Sequence, residues 1–262
     1  MESIENDNSK QSYYINSLIK SFGVLEILSE YDEMSILELS KASGLGKSSI
    51  HRILGTFKHM GYVNQNNING KYYATIKLFE LGNKVANRMP LRKVARPFLE
   101  ELFELCHETV NIGILDKYDV VYLDKIITKE PLRIELDIGR RVPAFCSAMG
   151  KAILAFNENI SISELQLRKI TDTTIDTYEE LENQLKQIRN QGYAIDNEEY
   201  IKGLTCISVP MKVDDNMSYV ALSIASPSAR ITEEKKQIYT QLLRNTADKI
   251  INALGAWGKH CI

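Results

Sequence analysis

SILELSKASGLGKSSIHRILGTFKHMGYV, residues 35–63, holds two short amphipathic segments around a glycine turn. In the first, Ser35 suits an N-cap, and Ile36, Leu37 and Leu39 supply an apolar side. Gly44 suits a positive φ at a helix C-terminus, and Leu45 can turn back into a core. In the second, Ile50, Ile53, Leu54 and Phe57 form one stripe that Met60 extends. The other side carries Lys47, Ser48, Ser49, His51, Arg52 and Lys58. A short helix, a glycine turn and a helix with a basic, hydroxyl-rich outer face form a helix-turn-helix. Ser48 and Ser49 fall in the first turn of the second helix, where hydroxyls and free N–H groups suit phosphates or base edges. Arg52 is long enough to fork onto a guanine edge, and His51 suits either task.

On the C-terminal side, Gly61 stops the helix. Tyr62-Val63 and Lys71–Ala74 are β-prone and flank Asn64–Gly70, which predicts a hairpin. A hairpin in this place is a wing, and Lys71, Tyr72 and Tyr73 are expected against a phosphate strand. On the N-terminal side, a first helix is predicted over about 12–30, following a polar tail (1–11) expected to be disordered. Charge is polarised along the chain. Lys41 to Lys77 holds six basic residues, two histidines and no acid, whereas residues 90–262 carry 22 basic and 25 acidic side chains. The net charge of −2 thus conceals a basic module attached to an acidic remainder, the footprint of a DNA-binding segment.

Beyond the wing (domain 12–76), a linker helix is expected within 77–90, ending at Met89-Pro90. A second domain, 91–262, opens with the amphipathic Leu91–Cys106. Strands are predicted at Val110–Leu115, Asp119–Ile127, Arg133–Ile138, Tyr193–Asp196, Thr205–Val213 and Tyr219–Ser226. Helices are predicted at Ser147–Asn157, Tyr178–Gln191 and Ile231–Leu254. The fold class is α+β with an antiparallel sheet. The small residues at Cys146–Gly150 open a helix whose N–H groups favour an anion, or Ser147 is simply an N-cap. No apolar run reaches the roughly 20 residues of a membrane span, and the polar N-terminus is no signal peptide, so a cytoplasmic location is expected. Cys106, Cys146, Cys206 and Cys261 show no paired or metal-like spacing, so neither cofactor nor metal is expected. No nucleophile elbow, P-loop or HExxH occurs, so the chain reads as no enzyme.

The stretches SLIKSFGVLEILSE, SILELSKASGLGKSSIHRILGTFKHMGYV and NGKYYATIKLFELG resemble the winged helix-turn-helix of the IclR family of bacterial regulators. HETVNIGILDKYDVVYLDKI, LRIELDIGRRVPAFCSAMGKAILAF, IRNQGYAIDNEEYIKGLTCISVP and ALSIASPSARIT resemble its effector domain, in order and spacing, from Ser17 to about Ile250. The resemblance implies a GAF-like effector domain and a regulator of double-stranded operator DNA controlled by a small organic acid. It places the ligand carboxylate on backbone N–H groups at Ala148 and Met149, polar contacts on Asp196, Cys206 and Ser223, and apolar walls on Ile134, Val142 and Leu204. Departures are Gly46, where the family often has proline, Ala225 in place of a second serine, and the bulk of Met149. The resemblance also implies a homo-oligomer, a dimer or a dimer of dimers. Tyr13, Tyr14, Ile15, Leu18, Ile19 and Phe22, with Leu78, Phe79, Leu81 and Val85, exceed what a small core needs. Competing readings are redox sensing by Cys146 and Cys206, and a GAF-type enzyme using the same thiols.

Overall fold

The computed structural model describes residues 13–133, 136–157, 159–213 and 219–255. The tail at 1–11, Ile134 and Cys261 lie outside the described residues. The chain divides into two compact units between Val85 and Ala86.

The first unit contains α1 (Asn16–Ser29), α2 (Ile36–Ser43), α3 (Lys47–Met60), β1 (Val63–Gln65) and β2 (Tyr72–Ala74), and α4 (Ile76–Ala86) leads out of it. Leu28, Leu39, Ile50 and Leu54 are its fully buried centre. Local chemistry sets the ends of its helices. The Ser35 hydroxyl accepts from the Glu38 N–H at 3.2 Å, and the Glu38 carboxylate accepts from the Ser35 N–H at 2.7 Å, a reciprocal cap for α2. Gly44 (φ 69°) and Gly61 (φ 84°) close α2 and α3 in the left-handed region that glycine enters without steric cost. Lys77 Nζ donates to the Met60 carbonyl at 2.6 Å, neutralising the α3 C-terminus. β1 and β2 pair antiparallel, with Val63 opposite Ala74, and Tyr72 makes a further bridge to Met34.

The second unit is built on a six-stranded antiparallel sheet in the order β5-β4-β3-β8-β7-β6. The strands are β3 (Thr109–Asp116), β4 (Asp119–Ile126), β5 (Arg141–Pro143), β6 (Ala194–Asn197), β7 (Leu204–Lys212) and β8 (Tyr219–Pro227). Residue alternation divides the sheet into two faces. Val110, Ile112, Ile207, Val209, Leu222 and Ile224 join α5 (Pro90–Cys106) and α8 (Glu233–Gly255) in one core. On the other face, Ala194 and Ala221 pack with α6 (Ala148–Phe156) and α7 (Tyr178–Gln191). Ala148–Ala155 of α6 are all buried, so this helix is the centre of that second core. Gly150 is fixed by sterics, because a Cβ there would lie 2.2 Å from the Ala144 carbonyl oxygen.

The predicted strand at Arg133–Ile138 is corrected: Leu136–Ile138, its C-terminal part, forms no strand. Gly139, at φ 84°, turns the chain first. Its N–H bonds the Tyr122 carbonyl, the Tyr122 N–H bonds the Arg140 carbonyl, and only then does β5 pair with β4.

Candidate functional site

Two surfaces carry chemistry, one in each unit. In the first unit, Lys47, Ser48, Ser49, His51 and Arg52 are all exposed on α3. At 100° per residue they spread round the helix. Ser48, Arg52, Gly55 and His59 form the ridge opposite the buried Ile50, Leu54 and Phe57. Lys47, His51 and Lys58 flank it on one side, with Ser49 and Thr56 on the other. Ser49, Arg52 and Thr56 also border a mostly apolar groove of about 470 Å³ walled by Leu18, Phe22 and Leu81. Thr56 and His59, exposed on either side of Lys58, extend the face read from the sequence. The wing corrects another expectation. Tyr72 is 6% exposed and packs in the core of the first unit, because its position on β2 points inward, whereas Tyr73 is only partly covered. Lys71 stays accessible, with Nζ 3.7 Å from a Glu38 carboxylate oxygen.

In the second unit, the face opposite α5 and α8 carries a polar row that sequence reasoning only half found. Ser223 on β8 pairs in register with Asn111 and Ser208, and Asn111 Nδ2 donates to Ser223 Oγ at 3.3 Å. Thr109, Asn111, Tyr122, Leu136, Leu204, Cys206 and Ala225 line a cavity of about 10 Å³, room for about one water. The missed Thr109 and Asn111 have a signal in the sequence: in TVNIG they alternate with Val110 and Ile112. That pattern ordinarily means a solvated face, but here it is covered. Leu136 lines the cavity too, and Lys125 Nζ donates to its carbonyl at 2.8 Å.

Beside the cavity, Ala148 packs with Leu204, Cys206 and Ala225, so the α6 N-terminus meets β7 and β8. Ser147 caps that helix by accepting from the Gly150 N–H at 3.2 Å. The Ala148 and Met149 N–H groups, first in the helix, have no acceptor within it. Met149 and Val142 belong to the α6 core rather than to the cavity wall. Met149 reaches Gly113, where a Cβ would lie 3.2 Å from its Cε.

Asp196 is 3% exposed and pairs in register with Cys206. Its Oδ1 accepts from the Glu199 N–H at 2.7 Å. Burial first, and the neighbouring Glu199 carboxylate second, raise its carboxyl to about 7. Lys151, fully buried on α6, donates to Glu199 and, at 2.7 Å, to the Ile195 carbonyl. Glu199 Oε2 is buried with no hydrogen-bond partner. Two carboxyls and one ammonium thus form an acceptor-rich buried cluster. Lys151 escaped sequence reasoning, although a lone lysine in the apolar AMGKAILAF is a visible signal. Burial, with Asp196 and Glu199 adding to it, pushes the Cys146 thiol far up, and burial does the same to Cys206. Burial raises Cys106 to about 11. None of the three is poised as a thiolate. Among the described residues there is no group of three or more His, Cys, Asp or Glu that could hold a metal, and no helix long and apolar enough to cross a membrane.

A helix-turn-helix with a wing, in one chain with an α+β domain holding a buried polar site, defines a DNA-binding transcription regulator. Residues 17–67 match the IclR helix-turn-helix domain, and residues 83–252 match the bacterial transcriptional regulator IclR C-terminal domain. The chain belongs to the IclR family. It is 38% identical over 253 residues to the HTH-type transcriptional regulator KdgR of Escherichia coli K12, covering 95% of this chain and 96% of KdgR. The Thermotoga maritima IclR crystal structure is similar with a TM-score of 0.72 at 29% identity, covering 92% of this chain and 100% of that one. An IclR homologue from Microbacterium hydrocarbonoxydans, solved with 4-hydroxybenzoate, shares the fold. Its TM-score is 0.76 at 23% identity, covering 92% of this chain and 99% of that one. These relatives are regulators, and the family is one of DNA-binding proteins rather than enzymes.

Proposed function

We propose that α3 and the wing bind operator DNA, and that a small organic acid bearing hydroxyl groups modulates this binding from the second unit. The acid's carboxylate takes the Ala148 and Met149 N–H groups at the α6 N-terminus. Its hydroxyls meet Asp196, Ser223 and Asn111. The observation that carries this reading is the cluster of Asp196, Glu199 and Lys151 beside a capped helix start. The Lys151 ammonium is already taken up by Glu199 and the Ile195 carbonyl, and Glu199 Oε2 is an acceptor left open, so the ligand's hydroxyl end belongs at the cluster and its charged end at the helix. The Microbacterium homologue's 4-hydroxybenzoate is an acid with a distal hydroxyl, which agrees with this polarity. Because the cavity has room for about one water, binding requires its lining side chains to give way.

A thermal-shift screen of keto, sugar and aromatic acids tests this. A ligand at 100 times its dissociation constant stabilises the protein by about 2.7 kcal/mol. Stabilisation that survives both Asp196→Ala and Ser223→Ala unchanged would place the ligand elsewhere. Redox sensing is disfavoured by the raised Cys146 and Cys206 thiols. Alkylation that abolishes operator binding in the native protein would reverse that judgement.

The protein works as a homo-oligomer in this reading. Tyr13, Tyr14, Ile15, Leu18, Ile19 and Phe22 on and before α1, and Phe79, Leu81 and Val85 on α4, are all more than half exposed, whereas Leu78 packs on its own core. A second copy is the occupant proposed for that apolar face. Light scattering across a dilution series tests it, and a monomer at micromolar concentration that binds a half-site as tightly as a full site would end the idea.

A further inference from the structure

Ile68, at the apex of the wing, is 97% exposed, more than any other large hydrophobic residue described. The loop that carries it is tightly built. The Asn66 N–H bonds the Lys71 carbonyl at 2.7 Å, and the Gly70 N–H bonds the Asn66 carbonyl at 2.9 Å. Asn66 Oδ1 accepts from the Ile68 N–H, and Asn69 Oδ1 from the Lys71 N–H, both at 2.9 Å. The two asparagine amides then converge on one residue outside the hairpin. Asn66 Nδ2 donates to Glu33 Oε2 at 3.1 Å, and Asn69 Nδ2 to Glu33 Oε1 at 2.5 Å. Glu33 therefore grips the loop on both sides of Ile68.

An isoleucine wholly in water on a rigid polar loop adds nothing to the fold, and its apolar area is buried only against a partner. The surroundings select that partner. No acid occurs between Lys41 and Lys77. Lys58 of α3 donates to Gln65 of β1 at 3.4 Å, which joins the wing to the recognition helix, and Lys71 stands at the wing's other strand. A helix in the major groove sets the element beside it over the adjacent minor groove, where phosphates line both edges and apolar side chains contact sugars or wedge at base steps.

We propose that Ile68 is an apolar minor-groove contact to the operator flank, and that Glu33 is the positioning residue that presents it. This deepens the DNA-binding reading above and rests on it. Simple electrostatics predicts that removing an acid near DNA tightens binding. The clamp predicts the opposite for Glu33→Gln, which keeps one carbonyl acceptor and loses the other.

The full-length protein is used to select a bound duplex from a randomised pool, and that duplex is the probe. Hydroxyl-radical footprinting and anisotropy are then run on wild type, Ile68→Ala and Glu33→Gln. The expected result is flanking minor-groove protection in wild type that both variants lose, with the α3 footprint kept and affinity about tenfold weaker in Ile68→Ala. Diaminopurine for adenine in the flank adds a minor-groove amino group without altering the major groove, and it should weaken wild type but not Ile68→Ala. Unchanged footprint and affinity in Ile68→Ala overturn the proposal. So does a change of oligomeric state without DNA, which would assign Ile68 to a second copy. Failure of wild type to select any duplex would refute the DNA-binding reading itself.

Discussion

Replacing Lys151 with methionine keeps the volume of a fully buried side chain and removes its ammonium. Lys151 holds Glu199 and the Ile195 carbonyl, while Glu199 and Asp196 are 4% and 3% exposed. The variant strands two carboxyls in a site where Glu199 Oε2 already lacks a partner. Breaking a buried pair by deleting one partner costs roughly 3–5 kcal/mol, and Lys151→Met is expected in that range near pH 8. Losing Lys151, which holds the Asp196 carboxyl down, lets Asp196 keep its proton to higher pH, so the loss should shrink as the pH falls, by at most about 1.4 kcal/mol per pH unit. Lys151→Met with Glu199→Gln removes most of the unpaired charge and should recover much of the loss. Urea unfolding of the full-length variants, followed by circular dichroism from pH 6 to 8.5, reads all three quantities. A loss below about 1 kcal/mol with no pH dependence would show that the cluster is solvated and the argument from burial wrong.

Gly150→Ala forces a Cβ to 2.2 Å from the Ala144 backbone, so it should cost roughly 1–3 kcal/mol or more and lower the melting temperature. Asp196, raised to about 7 from 3.8, binds its proton more tightly in the folded state. Its contribution to stability is therefore fully present below the unfolded value and is lost as the pH rises to about 7, a slope that Asp196→Asn should remove. Arg52→Ala should cost about 1–3 kcal/mol of operator affinity and relax sequence preference, whereas Lys71→Ala should weaken all duplexes similarly and flatten the salt dependence. Anisotropy on matched and mismatched duplexes at several salt concentrations separates those two outcomes.

The helix-turn-helix was legible because its signals are local. Ser35 with Glu38, Gly44 and Gly61 each act within a few residues, and the Ile50–Leu54–Phe57 stripe marks the buried face. The wing was legible as a hairpin but not in its facing, since adjacent tyrosines leave the inward one undetermined until Met34 bridges Tyr72. In the second unit, α6, α7 and the long strands followed periodicity. The pairing of β3 with β8, some 110 residues apart, does not. That pairing brings Asn111 to Ser223 and turns an apparently solvated polar row into a covered site. The short β5 was legible only as a strand end at Val142-Pro143, because three residues carry no period and the strand exists by pairing with β4 beyond Gly139. Lys151 and Glu199 lie 48 positions apart and meet only when β6 closes the sheet.

The proposed function requires that a ligand in the second unit change what the first unit binds. Anisotropy of a labelled operator duplex, titrated with protein in the absence and the saturating presence of an acid that raises the melting temperature, tests it directly. The operator dissociation constant is expected to change by about 5- to 150-fold, with the ligand's own affinity changing by the same factor when operator is bound. A ligand that stabilises the protein through Asp196 and Ser223, yet leaves operator affinity the same at saturation, would contradict it.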